Sequence, residues 1–267
     1  MQRLHDEPLP EALPSQHVLL RFRPSVDDPP LFRSYSLSGP ASTDRYRISV
    51  KIEPNGVGGA YVRDHVRVGD FLEVSSPRGT FLLQSGEGPV ALISAGVGVT
   101  PVLAMLYALS SAHSTRPVLW LHAARDGRHF LFAAEVRQLL SGLAHGRSHV
   151  CFSRREVADR LGTDFDAVGR LSRAAFDKVG LAPDADVYLS GPSRFMAALA
   201  EHDVRPDRIH MEIFNGGESS MPGVVGTVTK TAARSPRRRR CRSVTTKPAP
   251  WAEMSVGGGC VARLASA

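Results

Sequence analysis

Between residues 17 and 83 apolar and polar positions alternate with a period of about two. In "RYRISVKI" (45 to 52), Tyr46, Ile48, Val50 and Ile52 share one face and Arg45, Arg47, Ser49 and Lys51 the other, as expected of a half-buried antiparallel strand. "HVLLRF" (17 to 22) and "FLEVSS" (71 to 76) read as strands too, separated by Pro, Gly and Asp turn signals, with one short helix expected at 59 to 66. The set predicts a small β-barrel. "LFRSYSLSG" (31 to 39) belongs among these strands, yet neither of its alternate sets is clearly apolar. Its Arg33, Tyr35, Ser36 and Ser38 therefore call for a role other than filling a core.

After Pro89 the rhythm changes to strand, helix, strand, helix. "VALISA" (90 to 95) is apolar throughout, as a strand buried on both faces requires, and "TPVLAMLYALSS" (100 to 111) follows as a helix with Pro101 in its first turn. Strands at 118 to 124, 149 to 153, 187 to 191 and 208 to 214 alternate with helices at 133 to 143, from Arg173 behind a Ser172 cap, and near Phe195. This alternation predicts a parallel, doubly wound α/β domain. The expected organisation is a polar leader at 1–16, poorly ordered unless tied down, then a β-barrel at 17–87, an α/β domain at 88–214 and a disordered basic tail at 215–267.

Charge sharpens that division. Residues 1–214 hold 24 basic and 24 acidic side chains, whereas 215–267 hold 9 and 2, so the net charge of +7 lies in the tail. A neutral body gives no sign of specific nucleic-acid binding, and the four arginines at 237–240 read as a solvated run, with an acidic or nucleic-acid surface as the rival reading. No apolar run approaches the roughly 20 residues of a membrane span, and the start has no signal-peptide core, which gives a cytoplasmic expectation. Cys151, Cys241 and Cys260 are too scattered for a disulfide framework or a close metal cluster, and His65, His122 and His145 lack metal-ligand spacing. No metal site is expected.

"SAGVGVTP" (94 to 101) carries the first chemistry. Gly96 and Gly98, between a buried strand and a helix, let the backbone approach a phosphate at the helix start; an ordinary strand-to-helix turn is the plain alternative. Pro101 stands where the common dinucleotide fingerprint has its third glycine. Taken in order, "RSYS" (33 to 36), "GGAYVRDHVRVGD" (58 to 70), "PRGTF" (77 to 81), "AGVGVTP" (95 to 101), "YLSGPSRFM" (188 to 196) and "HMEIF" (210 to 214) resemble the ferredoxin–NADP reductase superfamily, in particular its phthalate dioxygenase reductase-like branch. The resemblance spans about residues 12 to 214.

It implies a flavin-dependent oxidoreductase that takes hydride from NADH or NADPH onto FAD or FMN and passes electrons to a separate acceptor. By the same resemblance Arg33 pairs with a flavin phosphate, Tyr35 lies against the ring, and Ser36 faces its reactive edge. Lys51 and the backbone of Gly59, Ala60 and Tyr61 complete the cradle. An arginine fork suits a phosphate and an aromatic face suits a planar ring. Gly96, Gly98, Val99 and Thr100 would meet the pyridine nucleotide, with Ser190, Gly191 and Pro192 opposite. Ser190 stands where the family usually has cysteine. Glu212 and Phe214 match the acidic and aromatic residues that close the domain near the flavin; a terminal strand with one packed aromatic is the plainer alternative. Ser36, Ser190 and Glu212 are the expected catalytic set. Arg125, Ser153 and Arg154 are candidates for the 2′-phosphate of NADPH, against a solvated basic loop and a preference for NADH.

Two departures from the branch shape the expectation further. Only Cys241 and Cys260 follow the reductase region, so its [2Fe–2S] domain cannot form here. The text upstream of "EALPSQHVLLRF" is short and polar, which leaves the barrel without one edge strand. Family-like text runs to about 222 to 227 and then turns arginine-rich, as in a truncated product whose tail is read in another frame. The alternative function is accordingly a non-catalytic remnant acting as a nucleotide-binding or interaction module.

Overall fold

The computed structural model describes residues 9–23, 29–68, 70, 72–197, 205–214, 244–245 and 251–256. Among the described residues, four strands and one helix build the core of the first unit. β1 (His17–Phe22) pairs antiparallel with β2 (Leu31–Ser36) and with β4 (Glu73–Val74), while β3 (Tyr46–Lys51) faces them from a second sheet. Val18, Leu20 and Phe22 of β1 and Tyr46, Ile48 and Val50 of β3 fill the space between, closed by Val62 of α1 (Val57–His65). The alternation read from the sequence is therefore the inward set of each strand. Ser49 departs from it. On the outward set yet buried, it shares a 2.8 Å hydrogen bond with Ser38 Oγ.

The leader is tied down where it is described. Leu9 and Ala12 are buried in the same core, Leu9 N donates to Thr43 O at 2.8 Å, and the Tyr46 hydroxyl donates to Pro10 O. Residues 9–16 are thus part of the fold, and the rest of the leader lies outside the described residues.

The second unit is a six-stranded parallel sheet in the order β10-β9-β5-β6-β7-β8. Its strands are β5 (Val90–Ala95), β6 (Val118–Ala124), β7 (Gly146–Phe152), β8 (Ala167–Val168), β9 (Asp186–Gly191) and β10 (Ile209–Ile213). β5 is buried along nearly its whole length, as its unbroken apolar run requires. Helices α2 (Val99–Ser111) and α3 (Ala133–Ser141) cover the face bearing Leu92, Trp120 and Tyr188. Phe176 of α4 (Arg173–Val179) and Met196 of α5 (Ser193–Ala197) cover the other. The strand order reverses between β5 and β9, and in open sheets of this kind ligands bind at the carboxyl ends of the strands at that switch point. Arg116, 6% exposed, fastens the connection between the units: it donates to Gly88 O at 2.6 Å and Gln84 O at 3.0 Å and pairs with Asp186 at 2.7 Å.

Within the tail, expected to be disordered, β11 (Val244–Thr245) and β12 (Trp251–Val256) are strands. β12 pairs antiparallel with β3 from Trp251 opposite Lys51 to Val256 opposite Tyr46, so the β3 edge has a partner from the tail itself. The four arginines, Cys241 and Cys260 lie outside the described residues. Among the described residues no helix is long and apolar enough to cross a membrane.

Candidate functional site at the junction of the two units

β2 positions the first group. Gly58, the second residue of α1, packs so closely on this strand that a Cβ there would come within 2.9 Å of Arg33 Cγ and 3.0 Å of Tyr35 Oη. Glycine at 58 therefore lets the helix start sit against both side chains. α1 begins at Gly56 with no side-chain cap and no acidic residue in its first turn, leaving the amides of Val57, Gly58 and Gly59 for an anion. The sequence reading put this cradle at Gly59, Ala60 and Tyr61. Gly59 is among these amides, the Ala60 amide donates to Gly56 O at 2.9 Å, and Tyr61 lies a turn inside the helix with its hydroxyl donating to Arg23 O. Arg33 makes no carboxylate contact among the described residues; its Nη1 donates to the Phe32 carbonyl at 2.7 Å. Lys51, at the end of β3, pairs with Glu53. Burial pushes the Tyr35 hydroxyl up to about 12, against the opposing charge of Arg33, so it stays a neutral phenol.

The second group lies where β2 meets the parallel sheet. Ser36 Oγ, at the end of β2, donates to Glu212 Oε2 of β10 at 3.4 Å. Glu212 sits opposite Ser190 of β9 in the parallel register. Ser190 is fully buried and its Oγ has no hydrogen-bond partner among the described residues. A Cβ at Gly98 would stand 2.2 Å from the Ser190 carbonyl oxygen, so the glycine turn before α2 is pressed directly on the end of β9. Burial pushes the Glu212 carboxyl up to about 7, with the Ser36 hydrogen bond opposing the shift. Ser36, Glu212, Ser190 and Gly98, drawn from four distant stretches of sequence, thus converge at the switch point. Phe214 follows, its amide donating to Gly191 O at 3.0 Å.

Around the glycine turn, Val99 and Thr100 are buried, and Thr100 Oγ1 donates to Val97 O at 3.1 Å, so Thr100 holds the turn's shape. α2 starts without a side-chain cap or an acidic first turn. Gly191 is buried and Pro192 exposed at the β9 end. Arg125, Ser153 and Arg154 sit apart, past the ends of β6 and β7, brought side by side by Arg154 N donating to Arg125 O at 2.7 Å. All three are exposed, and neither arginine forms an ion pair among the described residues, whereas neighbouring Arg128 is held by Glu156. One polar contact escaped the sequence reading: His122 Nδ1 and Ser94 Oγ are 2.9 Å apart in the row of Ser190, and burial pushes His122 down to about 3, so it is neutral.

Residues 8–82 match the Oxidoreductase FAD-binding domain and residues 92–201 the Oxidoreductase NAD-binding domain. The flavohem-like FAD/NAD-binding domain of nitric oxide dioxygenase from Vibrio cholerae is 31% identical, with a TM-score of 0.67 over 78% of this chain and 87% of that one. The chain belongs to the ferredoxin-reductase-like family of FAD- and NAD-binding oxidoreductases. A flavohemoprotein of Deinococcus radiodurans is 39% identical over 222 residues, 82% of this chain and 55% of that protein. The chain spans about half the length of the curated flavohemoproteins that it matches. Phthalate dioxygenase reductase shares the fold at 23% identity, with a TM-score of 0.60 over 79% of this chain and 61% of that one.

The residues present fit the two cofactors of this family. The uncapped amides of α1 beside Arg33 suit a phosphate, the Tyr35 face suits a planar ring, and the orphaned Ser190 hydroxyl has a hydrogen bond still to make. The chain is an NAD(P)H-dependent flavin oxidoreductase by family, with FAD as the flavin.

Proposed function

We propose that the chain takes hydride from NADH or NADPH onto FAD at the junction of its two units and relays the electrons to a heme centre. The observation that carries this reading is the convergence of Ser36, Glu212, Ser190 and Gly98 at one switch point. Bound FAD would supply the step from a two-electron donor to one-electron acceptors. The chain's own side chains orient and exclude. Arg33 and the α1 amides hold the phosphate, and Tyr35 flanks the ring. Gly98 and the buried Ser190 define the slot for the nicotinamide, where the missing partner of Ser190 Oγ would be a polar atom of the nucleotide. Glu212, with its proton affinity raised to about 7, holds a proton next to Ser36 Oγ near neutral pH.

Flavohemoproteins supply the argument for heme as acceptor, since the chain matches about half of their length. The exposed Arg125, Ser153 and Arg154 support acceptance of the 2′-phosphate of NADPH. A cytoplasmic setting, where reduced nucleotide is available, fits the free thiol of Cys151. The test is steady-state reduction of a ferric heme protein and of ferricyanide by the FAD-loaded chain with either nucleotide. Turnover with both acceptors supports the reading; turnover with ferricyanide alone removes heme from it.

A further inference from the structure

Arg47 of β3 makes a contact between the two units that no motif in the sequence announces. Its Nε donates to Ser38 O at 3.1 Å, its Nη2 reaches the same carbonyl, and its Nη2 pairs with Glu135 Oε1 of α3 at 2.5 Å. The Tyr107 hydroxyl of α2 donates to that same Glu135 oxygen, and the Arg47 guanidinium lies 5.3 Å from the centre of the Tyr107 ring. One guanidinium therefore touches a backbone carbonyl of the first unit and a carboxylate and an aromatic face of the second. The Arg47 and Glu135 side chains are only 20% and 22% exposed, so water weakens the pair less than it would a surface pair.

The two ends of this clasp are informative. Ser38 lies two residues after Ser36, is fully buried, and is locked from both sides: its amide donates to Arg47 O at 2.8 Å and its hydroxyl meets Ser49 Oγ. Gly39 has no room for a side chain, because a Cβ there would lie 2.9 Å from Arg47 Cβ. At the other end, Tyr107 is on the helix whose first residues, Val99 and Thr100, form the nucleotide turn. The clasp thus joins the strand end carrying Ser36 to the helix carrying the nucleotide turn. We propose that Arg47 is a positioning residue for hydride transfer, fixing the flavin-facing end of β2 against α2 through Ser38 and Glu135. The inference rests on the reading of the chain as a hydride-accepting flavin enzyme. Displacement of reacting groups by about 1 Å costs on the order of a hundredfold in rate, so a clasp of this kind acts on the transfer step rather than on binding.

The experiment is single-turnover anaerobic reduction of the FAD-loaded chain by NADH and by NADPH, for the wild type, Arg47→Ala, Arg47→Lys, Glu135→Gln and the Arg47→Ala/Glu135→Gln double variant. Amide hydrogen exchange of the flavin-free proteins at 37–39 and 82–88 is read in parallel. The limiting rate is expected to fall ~10-fold or more in Arg47→Ala, with FAD content and half-saturating nucleotide nearly unchanged. Glu135→Gln should fall in the same direction, Arg47→Lys should recover part of the loss, and the double variant should be no slower than Arg47→Ala, as two halves of one contact require. Exchange at 37–39 should quicken in Arg47→Ala. Wild-type limiting rates in Arg47→Ala and Glu135→Gln, or a rate loss that only tracks lost FAD, overturns the proposal. If Arg47→Ala is insoluble, the rate and exchange of Glu135→Gln decide alone. A wild type that neither nucleotide reduces refutes the functional reading instead, and the exchange data still judge the clasp.

Discussion

Glu212 offers a prediction whose size can be worked from the structure. Its carboxyl is pushed from an ordinary 4.5 up to about 7 because burial penalises the charged form and only Ser36 Oγ offsets it. A raised carboxyl makes the folded state the better proton binder between those two values. Stability from this group is therefore fully present below pH 4.5 and is lost as the pH rises through about 7. At about 1.36 kcal/mol per pKa unit, the shift corresponds to a loss of roughly 3 kcal/mol across the window. Glu212→Gln keeps the shape and the hydrogen-bonding oxygen but cannot ionise. Urea unfolding of the flavin-free protein at pH 5 and pH 8 reads the difference, with the variant correcting for every other titrating group. The wild type should lose roughly 2.5 kcal/mol more than the variant on going from the lower to the higher pH, since part of the loss is already complete at pH 5. Equal losses in the two proteins would refute the buried, proton-holding Glu212.

Other perturbations have equally definite outcomes. Arg33→Ala removes the charged donor beside the uncapped α1 amides and should weaken FAD binding by about 1.5–3 kcal/mol, measured by flavin fluorescence titration. Gly98→Ala forces a methyl onto the Ser190 carbonyl and should abolish nucleotide-dependent flavin reduction, while Gly88→Ala, whose Cβ meets nothing closer than 4.0 Å, should not. Arg116→Met leaves Asp186 with Arg208 as its ion-pair partner among the described residues and two linker carbonyls without the Arg116 donor; a loss of about 1–3 kcal/mol in urea unfolding is expected.

Much of the fold was legible because its signals are local. The runs at 17–22, 90–95 and 118–124 are the strands themselves, since an unbroken or strictly alternating apolar pattern leaves little choice of register. Motif order located Ser36, Ser190 and Glu212, and the fold brings Glu212 together with both serines. Which α1 amides are free was not legible, because that depends on where the first helical hydrogen bond closes, from Ala60 N to Gly56 O. The pairing of Lys51 with Glu53 across the turn had no signal in the sequence either. Arg47, Tyr107 and Glu135 had no sequence signal at all, being separated by 60 and 88 positions from Arg47 and defined only by how the two units pack. β12 was equally invisible: "WAEMSV" lacks a clear alternation, and its pairing follows from the free edge of β3.

In the proposed function, this chain itself brings a reduced nicotinamide nucleotide against bound FAD. Anaerobic titration of the FAD-loaded protein with NADH and with NADPH, followed at the flavin's visible absorption band, tests it most directly. Bleaching should be complete at one nucleotide per flavin, with full colour returning when an electron acceptor is admitted. A protein that takes up no FAD, or one whose bound FAD keeps its spectrum in the presence of both nucleotides, would contradict it.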